Sequence, residues 1–88
     1  MSGRVGGTIE QMNMMGTQFN NEADTLSALV SRITGQLNST DWEGGAAQRF
    51  RDQWNGEFRN VLTQVEAGLR ECSTEVRNRA NALAQAGA

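Results

Sequence analysis

Two long stretches of regularly spaced apolar residues, separated by one cluster of helix-breaking residues, dominate this sequence. In the first stretch, apolar residues or glycine recur at spacings that alternate between three and four. They are Ile9, Met12, Gly16, Phe19, Ala23, Leu26, Val30, Ile33 and Leu37. This is the spacing of a heptad seam, in which one stripe of an α-helix faces a neighbouring helix. The sequence therefore predicts a helix over residues 8–38, roughly 45 Å long at about 1.5 Å per residue.

The second stretch predicts a second helix, over residues 46–84. Its apolar positions are Ala47, Phe50, Trp54, Phe58, Val61, Leu62, Val65, Leu69, Cys72, Val76, Ala80 and Leu83. Their spacing lies between about 3.5 and 3.67, which predicts a nearly straight helix. Cys72 falls on this stripe and is predicted to be a buried free thiol. The chain contains no proline, the residue that costs a helix interior about 3 kcal/mol, so nothing of that kind interrupts either helix.

The segment Asp41-Trp42-Glu43-Gly44-Gly45 is the breaker cluster, and we predict a turn over residues 39–45. The two glycines adopt backbone angles that other residues resist. Trp42 brings a large apolar surface to the point where two antiparallel helices separate. It can act as a plug that only stabilises the end of the hairpin, or as a docking surface, and the sequence does not distinguish the two roles.

The predicted ends of the helices follow from capping residues. Residues 1–7 contain three glycines and no periodic pattern, so we expect a mobile leader, with Thr8 as the N-cap of the first helix. The second helix can begin with Thr40 as its N-cap, in a capping box, or after the glycines at Ala46; we prefer the second. Residues 85–88 are expected to form a tail. A single helical domain then covers residues 8–84.

Composition and charge exclude several classes of function. The chain has no histidine and one cysteine, so it cannot assemble a His-based zinc site or a Ser-His-Asp or Cys-His arrangement, and we predict neither an enzyme nor a metal or cofactor site. The formal net charge is -2 with no basic cluster, which is not typical of nucleic-acid binding. No apolar run is long enough for a transmembrane segment or a cleavable signal peptide. If the protein leaves the cell, we expect it not to use the general secretory route.

Two antiparallel helices form a single layer without a closed core, so the sequence predicts a partner. Short chains bury little more than about 60% of their unfolded surface, and an elongated hairpin buries less. The predicted fold is an all-α helix-turn-helix hairpin that dimerises into a four-helix bundle. The predicted partner interface comprises Met12, Met15, Phe19, Leu26, Leu29, Ile33, Phe50, Trp54, Phe58, Val61, Val65 and Leu69. Gly16 and Gly68 lie at or beside the two seams, where either the close approach of another helix or mere tolerance could account for them.

The sequence around the turn resembles the WXG family of small Esx-type (ESAT/CFP-like) substrates of type VII secretion. The features that carry the likeness are Trp42-Glu43-Gly44, the following Ala46-Ala47, Phe50 and Trp54, all central in a proline-free chain with a heptad pattern on both sides. The resemblance implies a hairpin that pairs, often with a sister protein, and is exported folded by a membrane ATPase complex. Trp42 and Gly44 would be the turn motif of the family. The protein would be cytoplasmic before export and secreted afterwards.

The family also places a Tyr-x-x-x-Asp/Glu export signal after the second helix of one partner, and this chain contains no tyrosine. The resemblance therefore implies a heterodimer in which a sister protein carries the signal that the secretion ATPase recognises. Three other hypotheses remain open from the sequence: a secreted homodimer, a membrane-active effector that uses the methionine-rich first helix, and a cytosolic coiled-coil adaptor unconnected to secretion.

Overall fold

The chain folds into a helical hairpin, and the structure, a computed structural model, describes residues 2–87, with side chains from residue 7 onward. Helix α1 covers Ser2–Ser39 and forms arm one. Arm two consists of helix α2 (Gly45–Gln53), a π-helical turn (Trp54–Phe58) and helix α3 (Arg59–Gly87), which follow one another without a break. The arms are antiparallel, and the predicted all-α hairpin is confirmed.

Both arms are longer than the sequence predicted. Arm one begins at Ser2, so residues 2–7 are helical and the prediction that the helix begins after an N-cap at Thr8 is wrong. Arm two continues through Gly87, so residues 85–87 of the predicted tail are also helical. Once a helix exists, each added residue gains a backbone hydrogen bond, and no proline stops this growth at either end. Met1 and Ala88, the outermost residues of the predicted leader and tail, lie outside the described residues.

The hairpin is elongated and one helix thick. Its principal extents are 65 × 17 × 12 Å, and the smallest of these equals the diameter of a single helix with its side chains, about 10–12 Å. The radius of gyration is 19.6 Å, whereas a globular domain of this length has about 12 Å. The two arms therefore bury residues only along the line where they meet.

Small residues occupy this line, which we call the seam. Ala23, Ala47 and Ala80 are fully buried, and Ser73 is 2% exposed. The larger seam residues are Val30 and Trp54, each 9% exposed. Small side chains let two helices approach closely, but they bury little apolar area per residue. The seam holds the arms together without forming a core that hides the large apolar side chains.

No helix in the described part of the chain is both long enough and apolar enough to span a membrane.

Candidate partner-binding face

Polar contacts between the arms define one side of the hairpin, which we call the polar face. Arg70 on α3 forms an ion pair with Asp24 on α1 at 2.9 Å and a second with Glu66, one helical turn earlier, at 3.1 Å. Hydrogen bonds to Asp24 and then to Glu66 raise the pKa of the Arg70 guanidinium above its ordinary value. Arg77 donates a hydrogen bond to the hydroxyl of Thr17 at 3.0 Å. These contacts fix the rotation of each helix relative to the other.

The opposite side of the hairpin is apolar. Met15 and Phe19 of α1 and Leu69 of α3 line one shallow groove between the arms. A second groove, nearer the open end, is lined by Met12 of α1 and Leu83 of α3. Residues of both arms therefore meet on this side, as they do on the polar face. The two sides differ in chemistry. Charged and hydroxyl groups join the arms on the polar face, whereas these grooves are lined mainly by hydrocarbon, with Gln18, Glu22 and Arg79 also among their lining residues.

Helical periodicity extends this apolar surface toward the turn. Successive residues of an α-helix are about 100° apart, so Leu26 and Ile33 repeat the direction of Phe19 at steps of seven, and Leu29 repeats that of Met15 after two such steps. The same reasoning places Val65, four residues before Leu69, on this side of arm two. The apolar face, as we use the term, comprises Met12, Met15, Phe19, Leu26, Leu29, Ile33, Phe50, Phe58, Val61, Val65 and Leu69.

Most of the apolar face is open to solvent. Seven of its side chains are between 38% and 52% exposed: Met15, Leu29, Ile33, Phe50, Phe58, Val61 and Val65. The remaining four, Met12, Phe19, Leu26 and Leu69, are half-buried because they lie closer to the seam. These are eleven of the twelve residues that the sequence predicts for a partner interface. We infer from the helical repeat that they lie on one side of the hairpin.

Trp54, the twelfth predicted interface residue, lies elsewhere. It is buried in the seam, where its indole N–H donates a hydrogen bond to the hydroxyl of Thr34 at 2.9 Å. A side chain enclosed by its own hairpin leaves little surface for another chain, so the assignment of Trp54 to a partner interface is corrected. The helical spacing identified it as apolar and inward-facing, but spacing alone cannot say which neighbour it faces.

Cys72 is exposed, and the prediction of a buried thiol is wrong. The neighbouring Ser73 is buried instead, and its hydroxyl donates to the carbonyl oxygen of Gly16 at 2.7 Å. The cause lies in the π-helical turn, which contains one residue more than an α-helical turn. Steps of three and four from Ala47 reach position 72, whereas the extra residue moves the seam to position 73.

The turn between the arms places two aromatic rings at the closed end of the hairpin. The ring centroids of Trp42 and Phe50 are 5.9 Å apart at an interplanar angle of 54°, and both side chains are less than half exposed. Gly44 is the N-cap residue of α2 with φ 105° and ψ 176°, a backbone conformation that glycine adopts and other residues avoid. Its carbonyl accepts the backbone N–H of Gln48 at 3.0 Å. Gly44 therefore permits the reversal, and Trp42 extends the apolar surface around it.

Arg51 is a structural residue that sequence reasoning missed. It is half-buried beside the turn, and its guanidinium donates to the carbonyl oxygen of Thr40 at 3.1 Å and to that of Leu37 at 3.5 Å. Cations near the carboxyl end of a helix stabilise carbonyls that have no partner within the helix. The sequence signal that could have identified Arg51 as a seam residue is its position, four residues after Ala47 on the same side of α2.

Comparison with known proteins identifies the family. A family model described as "Proteins of 100 residues with WXG" matches residues 7–88, nearly the whole chain. A search of curated proteins and a search of solved structures each return no significant match. The match covers both arms as well as the Trp42-Glu43-Gly44 turn, so it does not depend on the triplet alone. The chain belongs to the WXG100 family of small helical proteins, which generally form pairs and are secreted by type VII systems.

Proposed function

We propose that this protein is the member of a two-protein export complex that lacks the export signal. It pairs through its apolar face with a sister WXG protein to form a four-helix bundle, and the pair is exported folded by a type VII secretion ATPase. The observation that carries the proposal is that seven large side chains of the apolar face are more than one-third exposed on a hairpin only 12 Å thick. The proposed role is binding and export, without catalysis.

The energetic argument compares what the seam buries with what the apolar face exposes. The most buried apolar residues of the seam are three alanines, one valine and one tryptophan. Full burial of a valine, leucine, isoleucine, phenylalanine or methionine side chain is worth about 1.5–3 kcal/mol. Seven such side chains are more than one-third exposed on the apolar face, so covering them offers a large part of the stability that a small domain needs.

A helical partner fits this face better than other occupants. The exposed residues of each arm recur at heptad-related steps, such as Phe58, Val61 and Val65 on arm two. This is the spacing that knobs-into-holes packing between helices requires. Two hairpins stacked through their apolar faces form two layers, which closes the core that a single layer lacks.

The absence of tyrosine favours a sister protein over a second copy of this chain. In the family pattern, a Tyr-x-x-x-Asp/Glu segment follows the second helix of one partner, and this chain has no tyrosine at any position. A homodimer would offer the export ATPase no copy of that signal, whereas a heterodimer offers one.

Co-expression with a neighbouring gene for a small WXG protein tests the pairing. We expect a stable one-to-one complex, with the mass of one copy of each chain in native mass spectrometry or light scattering. The chain purified alone, at the same concentration, is the control. Recovery of only free monomer or homodimer from the co-expression would contradict the heterodimer.

Comparison of culture supernatants from strains with and without the secretion ATPase tests the export. We expect the protein outside the cell only when the ATPase and the sister protein are both present. Deletion of the tyrosine from the sister's signal should abolish export of this chain while pairing persists. Equal amounts in the supernatants of both strains would favour an adaptor that has no link to secretion.

A further inference from the structure

Arm two carries two overlapping apolar stripes, and the π-helical turn at Trp54–Phe58 lies where they begin. We propose that this turn assigns one stripe to the hairpin and the other to the partner chain. The hairpin stripe runs through Leu62, Leu69, Ser73, Val76 and Ala80. The partner stripe runs through Phe58, Val61, Val65 and Cys72. The proposal rests on the proposed pairing and adds which part of arm two the partner chain contacts and what sets it.

The burial pattern changes by one residue across the turn. By frame we mean the set of positions of arm two that face the seam, and this set is displaced by one residue after the turn. Before it, the seam residues of arm two are Ala47, Arg51 and Trp54. Steps of three and four from these positions would continue through 58, 61, 65 and 72. The residues at those four positions are instead exposed. The buried or half-buried positions of α3 include 62, 66, 69, 73, 76 and 80, which are the same steps displaced by one residue.

The shift by one residue rotates α3 by about 100°, because an α-helix has 3.6 residues per turn. The rotated frame is the one in which Ser73 reaches the carbonyl of Gly16 and Arg70 reaches Asp24. An uninterrupted α-helix would turn both contacts away from α1.

The uninterrupted frame would also place unsuitable residues in the seam. Position 68 is a glycine, which has no side chain to fill the seam, and the next positions of that frame are Glu75 and Arg79. A charged pair between two closely packed helices loses its hydration without other polar groups to replace the water. Val61 and Val65 would be covered by α1 and lost from the apolar face. The π-helical turn thus keeps Glu75 and Arg79 out of the seam and keeps Val61 and Val65 available to a partner.

Side-chain hydrogen bonds support the backbone at both ends of the turn. The Asn55 amide donates to the carbonyl oxygen of Arg51 at 3.0 Å, and the Asn60 amide donates to that of Gly56 at 2.8 Å. The backbone N–H of Arg59 bonds to the carbonyl of Trp54, five residues earlier, which is the π-helical pattern. A π-helical turn interrupts the regular series of backbone hydrogen bonds from residue i to residue i−4. Side-chain donors next to the turn bond to backbone carbonyls there and so stabilise the π-helical conformation.

The exposed stripe of arm two fits a helix of another hairpin. Its steps of three, four and seven, from Phe58 to Val61, Val65 and Cys72, are those by which one helix presents a row of side chains to another. Leu29, Ile33 and Met15 on arm one widen the row into a surface two helices broad. The occupant to which we commit is therefore the sister hairpin, which covers Cys72 when it binds.

The native thiol gives a direct readout of the frame. We expect Cys72 of the isolated chain to react readily with a thiol reagent under native conditions. In the double variant Cys72→Ser, Ser73→Cys, the thiol at position 73 should react on the order of ten-fold or more slowly, because modification then requires local opening of the seam. Both proteins have the native length and differ by an exchange of two neighbouring residues. Faster reaction at position 73 than at position 72 would overturn the assignment of the stripes.

Changes of chain length at Gly56 test the cause. Deletion of Gly56 removes the residue that the π-helical turn absorbs, so a regular α-helix should keep Leu62 and Ser73 in the seam, with a reactive Cys72 and normal binding to the sister protein. Insertion of one alanine after Gly56 adds a residue that the turn does not absorb, so α3 should rotate by about 100°, remain helical by circular dichroism, protect Cys72 and lose binding. Gly56→Ala keeps the length, and since nothing lies within 4 Å of a Cβ there, it should behave as the native chain.

A deletion variant that protects Cys72, or an insertion variant with Cys72 as reactive as in the native chain and with normal binding, would show that the turn does not set the frame.

Protection by the partner separates this inference from the proposed function. In the co-expressed complex, reaction at Cys72 should slow on the order of ten-fold or more relative to the isolated chain. A complex of the expected mass in which Cys72 remains fully reactive would overturn the partner stripe and leave the pairing intact. If no complex forms at all, the pairing is wrong, and the thiol comparison in the isolated chain still reports on the frame.

Discussion

Ser73 on α3 donates its hydroxyl to the backbone carbonyl of Gly16 on α1, at 2.7 Å, across the seam. A Cβ atom at Gly16 would lie 2.8 Å from Nε and 2.9 Å from Cγ of Arg77, closer than such atoms normally approach. The absence of a side chain at Gly16 therefore leaves room for Arg77 to cross the seam and reach Thr17. A side chain at Gly16 would thus meet the side chain of Arg77, whereas Gly68 has open space around it.

The contrast between Gly16 and Gly35 can be measured. Replacing a helix-interior glycine by alanine is worth about 1 kcal/mol when the new methyl group meets nothing. Gly35→Ala should therefore raise the free energy of unfolding by about this amount, since no atom lies within 4 Å of the added Cβ. Gly16→Ala should lose this gain because Arg77 must move away from Thr17. Urea denaturation of the two variants at equal protein concentration checks the difference, and equal stabilisation would contradict the tight contact.

Gly44 and Gly45 are adjacent but differ in what they tolerate. Gly44→Ala forces an alanine to φ 105°, so we expect a loss of about 1–3 kcal/mol in unfolding free energy. Gly45 is the first residue of α2, and a Cβ there contacts only the Arg49 guanidinium at 3.4 Å. Gly45→Ala should be neutral or slightly stabilising. Thermal unfolding of both variants tests this, and a harmless Gly44→Ala would show that the turn adopts another conformation.

The two tryptophans should behave differently in fluorescence and in stability. Trp54 is buried and hydrogen-bonded to Thr34, whereas Trp42 is 40% exposed. Trp54→Ala should cost about 3–5 kcal/mol of unfolding free energy, as for other large-to-small changes of buried aromatic residues. Trp42→Ala should cost about 0.5–1.5 kcal/mol for the aromatic contact, plus a smaller term for lost apolar burial.

Emission spectra give an independent check on the tryptophans. The variant Trp42→Phe retains only Trp54 and should emit at shorter wavelength than Trp54→Phe, which retains only Trp42. Trp54→Phe should also be less stable than the native chain by about 1 kcal/mol, because Thr34 loses its hydrogen-bond partner. The reverse order of emission wavelengths would place Trp42, and not Trp54, in the protected environment.

The fold could be predicted from sequence because its determinants are local and periodic. The apolar steps from Ile9 to Leu37, the absence of proline and the two glycines at the turn each indicate the same hairpin. The apolar face of arm one follows from the same periodicity, since Met15 and Leu29 widen its stripe on one side only. The assignment of this face to a partner chain stays a prediction.

The frame of arm two could not be predicted, because two stripes of similar apolar content overlap there. A pattern that contains both Val61 and Leu62 is compatible with two rotations that differ by about 100°. The choice depends on contacts with α1, such as those of Ser73 and Arg70, that become visible only when the arms are placed side by side. The exposure of Cys72 follows from that choice.

Val65 and Thr63 provide the most direct comparison of the two faces of arm two. They are two residues apart on α3, both are exposed, and the helical repeat directs Val65 to the apolar face and Thr63 to the side of the polar face. We expect Val65→Arg to abolish binding to the sister protein, because the charge would enter a partner interface without a counter-ion. Thr63→Arg should bind normally. Neither change should lower the helicity of the isolated chain, because neither residue lies in the seam.

Titration calorimetry or co-purification with the sister protein measures this difference. A loss of at least about 2 kcal/mol in binding free energy for Val65→Arg, against less than about 0.5 kcal/mol for Thr63→Arg, is the expected result. Because the substituent is the same in both variants, nonspecific effects of added charge cancel in the comparison. Equal loss in both variants would indicate a general effect on the helix, and loss confined to Thr63→Arg would place the partner on the polar face.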